Sequence, residues 1–223
     1  MSDDMINHDY EMSIEQIAAS LAHEVKNPIS LVRANLDLLE LNDTLHEFTR
    51  NYVMMRRELD KINELIIDFI SFAQPYKKID EAVNLQDMIS ELVGDMSVAL
   101  KDVSFRVEMA GKDFVISGDR TKIENVFNNI LKNAVEAIDY DGDVTVDMRN
   151  ENGYVIISIT DSGCGVEDIE QIMEAFYTTK ENGSGLGLFI SHKTIANHKG
   201  ELLIENGAEK GCIVTVKLPK KKS

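Results

Sequence analysis

The sequence is poor in the residues that support disulfide-stabilised, metal-organised or membrane-spanning proteins. It has two cysteines, three prolines and no tryptophan among 223 residues. Cys164 and Cys212 do not make a disulfide framework, and no cysteine–histidine cluster has metal-site spacing. No apolar run reaches the roughly 18 residues that a membrane helix needs, and the N-terminus lacks a signal-peptide pattern. We therefore expect a cytoplasmic protein with reduced thiols and no membrane segment.

Positive charge is also scarce. The 23 lysines and arginines face 39 aspartates and glutamates, for a net charge of −16. Because nucleic-acid binding depends on basic surface, we expect no nucleic-acid partner. The hydrophobic content of 43% is that of an ordinary globular protein, and the length allows one or two domains. Residues 220–223 form a short basic tail with no expected role.

The N-terminal third has the pattern of a helical hairpin. After a flexible lead-in at 1–12, apolar residues recur every three or four positions through 14–41 and 45–73. Pro28 lies inside the first predicted helix and is expected to bend it. One hairpin, residues 13–76, has too little apolar depth to bury both stripes. We therefore predict a homodimer through these residues, with two hairpins forming a four-helix bundle. The alternative is a hairpin that packs on the rest of its own chain.

The remainder of the chain, residues 84–219, follows a short linker at 77–83 and mixes α and β patterns. The order α, β, β, α, β, β, α, β, β is typical of an α+β two-layer sandwich with its helices on one sheet face. The predicted helices are 85–100, 119–138 and 186–197, and the predicted strands are 103–109, 114–117, 143–149, 154–160, 201–205 and 213–218.

One histidine is placed where a partner can reach it. His23 lies in the segment SLAHEVKNPI, about 200° around the helix from the apolar residues Leu21 and Val25, so it faces away from their stripe. Glu24 follows it directly, and Asn27, one turn later, shares its face. An exposed histidine on a helix is usually an ordinary surface residue. Its meaning here depends on what the rest of the chain carries.

Two downstream motifs indicate a nucleotide site. Asn129 and Asn133 lie four residues apart on one face of a predicted helix, and neutral amides can coordinate Mg²⁺ while donating to phosphate oxygens. Asp161, Gly163 and Gly165 come directly after a predicted strand. A carboxylate there can accept a hydrogen bond from the exocyclic amine of adenine, and glycines let the backbone approach the ring.

A third motif runs from the stretch FYTTK, residues 176–180, through a glycine-rich loop into the last predicted helix. Glycine-rich backbone that leads into a helix N-terminus forms a cradle for phosphate groups. The candidate nucleotide-binding residues of this stretch are Thr179, Lys180, Gly183, Gly185, Leu186 and Gly187. Each motif alone is common in turns and loops, whereas all three in this order are specific.

Together these motifs resemble those of the two-component sensor histidine kinases, over residues 13–219. HEVKNP resembles the phosphoacceptor box. NxxxNA, DxGxG, FYTTK and GxGLGL resemble the asparagine, glycine and aromatic boxes of the ATP-binding domain, whose fold is shared with gyrase, Hsp90 and MutL. The forms of the motifs are most similar to those of the sporulation and nitrogen-regulation branch. The resemblance implies a dimerising helical hairpin followed by a sandwich of this ATPase type.

The resemblance also implies an activity. The chain would use ATP and Mg²⁺, with the metal held through Asn133 and Asn129, to phosphorylate itself on His23. Glu24 would be its base or orienting partner, and Asn27 would support the kinase step or a phosphatase activity. Hydrolysing relatives carry a glutamate where this chain has Asn129, so the phosphoryl group is left for His23. An aspartate of a response-regulator receiver domain would then accept it, and residues 166–183 would form a lid.

Some features depart from the family pattern or leave alternatives open. Cys212 stands where the family usually has a threonine, which puts one supporting hydrogen bond in doubt. No sensor domain is recognised before the hairpin, so input comes from a separate sensor protein or from a longer chain of which this is a part. Two other classes remain: a phosphotransfer or scaffold protein without kinase activity, and a superfamily ATPase or serine kinase.

Overall fold

The architecture of the protein comes from a computed structural model that describes residues 14–41, 45–73, 81–180, 184–208 and 210–221. Side chains of the first helix are described at 25–38, and those of the second at most positions from 51 to 70. The predicted lead-in at 1–12 and the start of the predicted linker lie outside the described residues. The chain divides into two compact units, one with residues 1–75 and 174–186 and one with residues 76–173 and 187–223.

The first unit is built on two long helices, α1 (Ile14–Leu41) and α2 (Leu45–Ala73), which pack against each other as predicted. α1 runs through Pro28 as one uninterrupted helix. Within the described side chains, Met55 and Leu65 of α2 are buried. Asn35 is also buried, and its amide donates to the carbonyl of Leu31 at 2.8 Å. No helix among the described residues is long and apolar enough to cross a membrane.

The second unit is an α+β sandwich, and this fold class was predicted correctly. Its elements are β1 (Glu81–Asn84), α3 (Leu85–Ala99), β2 (Val103–Ala110), β3 (Val115–Gly118), α4 (Arg120–Ala137), β4 (Gly142–Glu151), β5 (Tyr154–Asp161), a 3₁₀ turn at Gln171–Met173, α5 (Gly187–Asn197), β6 (Glu201–Asn206) and β7 (Cys212–Pro219). β1 was not predicted, and it begins inside the segment expected to be linker. It is too short to show a strand pattern by itself and exists by pairing antiparallel with β3.

The main sheet has five strands in the order β2-β4-β5-β7-β6. β2 pairs parallel with β4, and the other pairs are antiparallel. Alternate residues of β4 and β5 are buried, as period-2 strands with one covered face require: Val144, Val146, Met148, Val155, Ile157 and Ile159. The helices cover that face, with α3 against β2, α4 against β5 and α5 against β6.

Polar side chains set where two of the helices begin. The Asn84 side chain accepts from the backbone N–H groups of Gln86 and Asp87, which caps α3. The Asp119 carboxylate accepts from the Lys122 N–H at 3.1 Å, which caps α4. Each cap satisfies donors that the first helical turn leaves without a partner. The second cap places α4, which carries both candidate asparagines.

Candidate nucleotide-binding site

α4 forms the centre of the site. Its core-facing residues are fully buried beneath the sheet: Ile123, Val126, Phe127, Ile130 and Leu131. Asn129 and Asn133 lie beside this face and are half-buried. A helix whose apolar side is held this firmly presents both amides from a rigid support, as a binding site requires.

The Asn129 side chain contacts the first turn of α5. Its Nδ2 donates to the Ser191 hydroxyl at 3.1 Å, and that hydroxyl donates to the Gly187 carbonyl at 2.8 Å. A β-carbon at Gly187 would lie 2.5 Å from Asn129 Oδ1. Glycine is therefore required at this position for space, because any larger residue would push against the amide. The contact brings the predicted asparagine motif and the end of the predicted glycine-rich loop together.

Asp161 ends β5 and is buried, with 6% of its surface exposed. Its Oδ1 accepts two backbone hydrogen bonds, from Gly163 N–H at 2.9 Å and Cys212 N–H at 3.2 Å. Both bonds recorded for this carboxylate in the described part of the chain go to Oδ1, which leaves Oδ2 for a ligand. A buried carboxylate oriented by two backbone donors is a fixed acceptor. It suits the amine of a purine.

The substitution of cysteine for threonine at position 212 does not cost Asp161 its support, because the backbone N–H supplies the bond. The side chain is buried, and both cysteines are free thiols. Burial, together with the nearby negative charge of Asp161, raises the pKa of the Cys212 thiol to about 11. The thiol therefore stays protonated at neutral pH.

Gly163 and Gly165, the two glycines after Asp161, are required for different reasons. A β-carbon at Gly163 would collide with the carbonyl oxygen of Ala137, so this loop packs on the last turn of α4, one turn beyond Asn133. Gly165 has a φ of +78°, which a glycine adopts without strain. The structure thus brings the predicted DxGxG motif to the same helix as the asparagines.

Asn206 supports the loop that follows. Its Oδ1 accepts from Val166 N–H at 2.7 Å, and its Nδ2 donates to the Val166 carbonyl at 2.8 Å. The Asn206 amide therefore bonds to both backbone groups of Val166, as a neighbouring strand would. These bonds fix the backbone just after the DxGxG motif. Neither Asn206 nor Ser191 was predicted as a site residue. The only sequence signal for the role of Asn206 was its position at the end of a strand, directly before a glycine. For Ser191, a serine within a helix, there was no signal in the sequence.

Residues 174–186 belong to the first unit. Phe176 N–H donates to the Gly185 carbonyl at 2.9 Å, and Gly185 has a φ of +66° and packs on the Phe176 backbone. Phe176 itself has a φ of +68°, which is strained for a residue with a side chain. Thr179 and Lys180 are exposed, and Leu186 is buried. Gly183 lies outside the described residues.

The predicted phosphoacceptor segment lies in α1. His23 and Glu24 are within the helix, but their side chains fall outside the described part of the structure. Asn27 is exposed and Pro28 is buried. Among the described residues, no three histidine, cysteine, aspartate or glutamate side chains converge on a metal-sized site.

The sheet is covered by helices, β5 ends in the buried Asp161, and both glycine motifs contact α4. These features define a nucleotide-binding domain of the ATPase type. Comparison with known families agrees. Residues 118–222 match the family described as Histidine kinase-, DNA gyrase B-, and HSP90-like ATPase. Residues 13–75 match the His Kinase A (phospho-acceptor) domain.

Individual relatives and solved structures match nearly the whole chain or its ATP-binding part. Sporulation kinase B of Bacillus subtilis is 32% identical over 219 residues, which are 95% of this chain and 51% of that protein. The catalytic domain of histidine kinase ThkA is 30% identical with a TM-score of 0.58, over 64% of this chain and 98% of that structure. ThkA in complex with response regulator TrrA is 24% identical with a TM-score of 0.80, over 92% of this chain and 61% of that one, a likeness that shows the fold.

The chain belongs to the two-component sensor histidine kinases, as its motifs indicated. It spans 51% of the length of sporulation kinase B and 34% of that of sporulation kinase A.

Proposed function

We propose that this chain is an ATP-dependent protein histidine kinase that phosphorylates itself on His23. The phosphoryl group then passes to an aspartate of a response-regulator receiver domain. The observation that carries the proposal is the Asp161 carboxylate, held by two backbone N–H groups with one oxygen left for a ligand. It lies in a domain of the ATPase family, and a phosphoacceptor-type helix with an HExxNP box occurs in the same chain.

ATP binding is assigned to residues of both glycine motifs. Asp161 reads the adenine amine, and Gly163 and Gly165 allow the backbone to approach the ring. By their motif, the phosphate-binding residues are Thr179, Lys180, Gly183, Gly185, Leu186 and Gly187. Because ATP is the proposed co-substrate, we place the reaction in the cytoplasm.

Mg²⁺ is assigned to the asparagine motif. The Nδ2 of Asn129 donates a hydrogen bond to Ser191, so its Oδ1 is the atom that can face a cation or a water bound to that cation. That oxygen borders the space that a β-carbon at Gly187 would fill. Asn133 lies one turn along the same face. When bound, the cation supplies neutralising charge to the phosphate oxygens.

The chemistry requires a nucleophile outside the ATP-binding domain. Hydrolysing relatives of this family carry a glutamate at the position of Asn129, and an amide cannot act as a base toward water. A ring nitrogen of His23 forms the new N–P bond as the bond to the leaving ADP oxygen breaks, and Glu24 takes or orients the ring proton. Asn27, exposed one turn later, is proposed to support this step or to orient water in the reverse phosphatase reaction.

A second copy of the chain is the proposed partner of the hairpin. Tyr52, Leu59 and Ile66 follow one another at seven-residue spacing on α2 and are 49%, 55% and 42% exposed in the single chain. Ile29 and Leu36 of α1, also seven apart, are 51% and 50% exposed. Apolar residues at this spacing form the seam of a helical bundle. A homodimer through residues 13–76 would cover them and close a four-helix bundle.

The domain assignment follows from these roles. Residues 13–76 form the dimerisation and phosphoacceptor domain and residues 84–219 the ATP-binding domain. Residues 77–83 would join them, and input would come from a separate sensor protein or another part of a longer chain.

The experiment is incubation with γ-labelled ATP and Mg²⁺, followed by acid and alkali treatment of the labelled protein. We expect label that is lost in acid, survives alkali and disappears in His23→Gln. His46→Gln is the matched control, because His46 is also followed by a glutamate on a hairpin helix but lacks the asparagine–proline pair. Acid-stable label would favour the serine-kinase alternative. Free phosphate without label would favour an ATPase, and a bound ATP analogue with neither would favour a scaffold.

A further inference from the structure

Asp119, the N-cap residue of α4, has a backbone N–H donor that α4 itself does not satisfy. Asp119 caps α4 with its side chain, but its own backbone N–H points away from the helix. In a capping box, the glutamate or glutamine three residues later accepts from that N–H. Here the residue is Lys122, which has no acceptor in its side chain. The acceptor must therefore come from elsewhere in the chain.

It comes from His198, 79 residues away, just after α5. Asp119 N–H donates to His198 Nε2 at 3.0 Å, and the other ring nitrogen, Nδ1, lies 2.7 Å from the Thr194 carbonyl. A nitrogen that accepts an N–H cannot carry a proton, so the hydrogen bonds define the Nδ1–H tautomer. The ring is 7% exposed. A β-carbon at Gly118 would lie 2.5 Å from His198 Cδ2, so the adjoining strand end is shaped to admit the ring.

α4 and α5 are thus tied at two separate points. One tie joins Asp119 to His198 at the end of α5, and the other joins Asn129 to Ser191 and Gly187 at its start. Two ties at opposite ends of an eleven-residue helix fix both its register and its rotation against its neighbour. The second tie lies in the nucleotide site, and the first does not.

We propose that His198 is a positioning residue for nucleotide binding, which it serves by holding α5 in register with α4 through the acceptor at Nε2. This rests on the proposed function. Loss of the acceptor leaves the Asp119 N–H without its partner and frees the end of α5. The contact of Gly187 with Asn129 then loses its fixed geometry, although neither residue has been changed.

Replacing His198 by glutamine or by asparagine tests the hydrogen-bond acceptor at Nε2 separately from the volume of the ring. Glutamine places its side-chain oxygen near the position of Nε2, whereas asparagine reaches only the position of Nδ1. We expect His198→Asn to raise the Kd of a non-hydrolysable ATP analogue, measured by calorimetry, about tenfold, and His198→Gln to stay within about twofold of wild type. Gly118→Ala, which displaces the ring from the other side, is expected to match His198→Asn. His192→Asn, at an exposed histidine of the same helix, is the control and should bind as wild type does.

Two measurements on the wild-type chain need no variant to fold. Long-range ¹H–¹⁵N spectra are expected to show His198 protonated at Nδ1 and unprotonated at Nε2. Coupling between two sites is reciprocal, so saturating analogue should slow hydrogen exchange at the Asp119 amide by the same factor of about ten.

Equal binding by the asparagine and glutamine variants, or an Asp119 amide whose exchange ignores the analogue, would overturn the proposal. If wild type binds no analogue while the ring spectra still show the tie, the proposed function itself is wrong, and the positioning role goes with it.

Discussion

The Asp161→Asn substitution should separate the proposed recognition of adenine from support of the fold. Asparagine keeps the oxygen that accepts from Gly163 and Cys212 N–H groups at 2.9 and 3.2 Å. It replaces the other oxygen by an NH₂ group. A donor then faces the adenine amine, which is also a donor, and the binding site loses a charge-assisted acceptor.

The magnitude follows from that exchange of donor for acceptor. A hydrogen bond to a charged group contributes about 1.5–3 kcal/mol, and an unpaired donor adds a desolvation cost. We expect a loss of about 3 kcal/mol, which corresponds to a Kd for ATP about 150-fold higher. Because both backbone bonds survive, the free energy of unfolding should change by less than about 1 kcal/mol. Asp161→Ala, in contrast, leaves two backbone donors unpaired and should destabilise the domain by about 2–4 kcal/mol.

The assay is calorimetric titration with ATP and with inosine triphosphate, together with thermal unfolding of each variant. The purine of inosine triphosphate carries a carbonyl where adenine carries its amine, so the asparagine NH₂ can donate to it. The ratio of affinities, inosine triphosphate over ATP, should therefore rise in Asp161→Asn. The reasoning would be refuted if this variant bound ATP within threefold of wild type, or if both nucleotides weakened in parallel.

Other predictions concern the hairpin and the thiols. Leu59→Glu should raise the dimer dissociation constant, measured by sedimentation, about 100-fold, because each copy loses about 1.5 kcal/mol of apolar burial. The control Arg57→Glu, at another exposed position of α2, should leave the dissociation constant unchanged. A wild-type chain that sediments as a monomer would contradict the bundle. A thiol reagent at pH 8 should modify exposed Cys164 quickly and Cys212 only on unfolding. Because the folded pKa of Cys212 is about 11 against an ordinary 9.0, the unfolded state ionises first and binds fewer protons above pH 9. Stability should therefore fall between pH 9 and 11, by on the order of 1–2 kcal/mol, and Cys212→Ala should remove that slope in chemical unfolding.

Some sequence predictions held because they rest on local physics. Helix limits in the hairpin match the periodic segments, 14–41 and 45–73, and the capping aspartate of α4 stands where its helix was expected to start. Two features of the sheets were not predicted, and each has a physical cause. β1 is four residues long and depends on β3 for its hydrogen bonds, and no local pattern shows that β2 runs parallel to β4.

The sequence by itself determined the class of the protein: periodic apolar stripes specify the helices, alternation specifies the strands, and three motifs in order specify a kinase family. Only the tertiary structure decided how the site is held. Asp161 accepts a hydrogen bond from Cys212, which lies 51 residues later in the sequence. Asn129 bonds to Ser191, 62 residues later, and Asp119 bonds to His198, 79 residues later. Such bonds depend on which strand ends and helices become neighbours in the folded chain, and spacing along the sequence does not encode that.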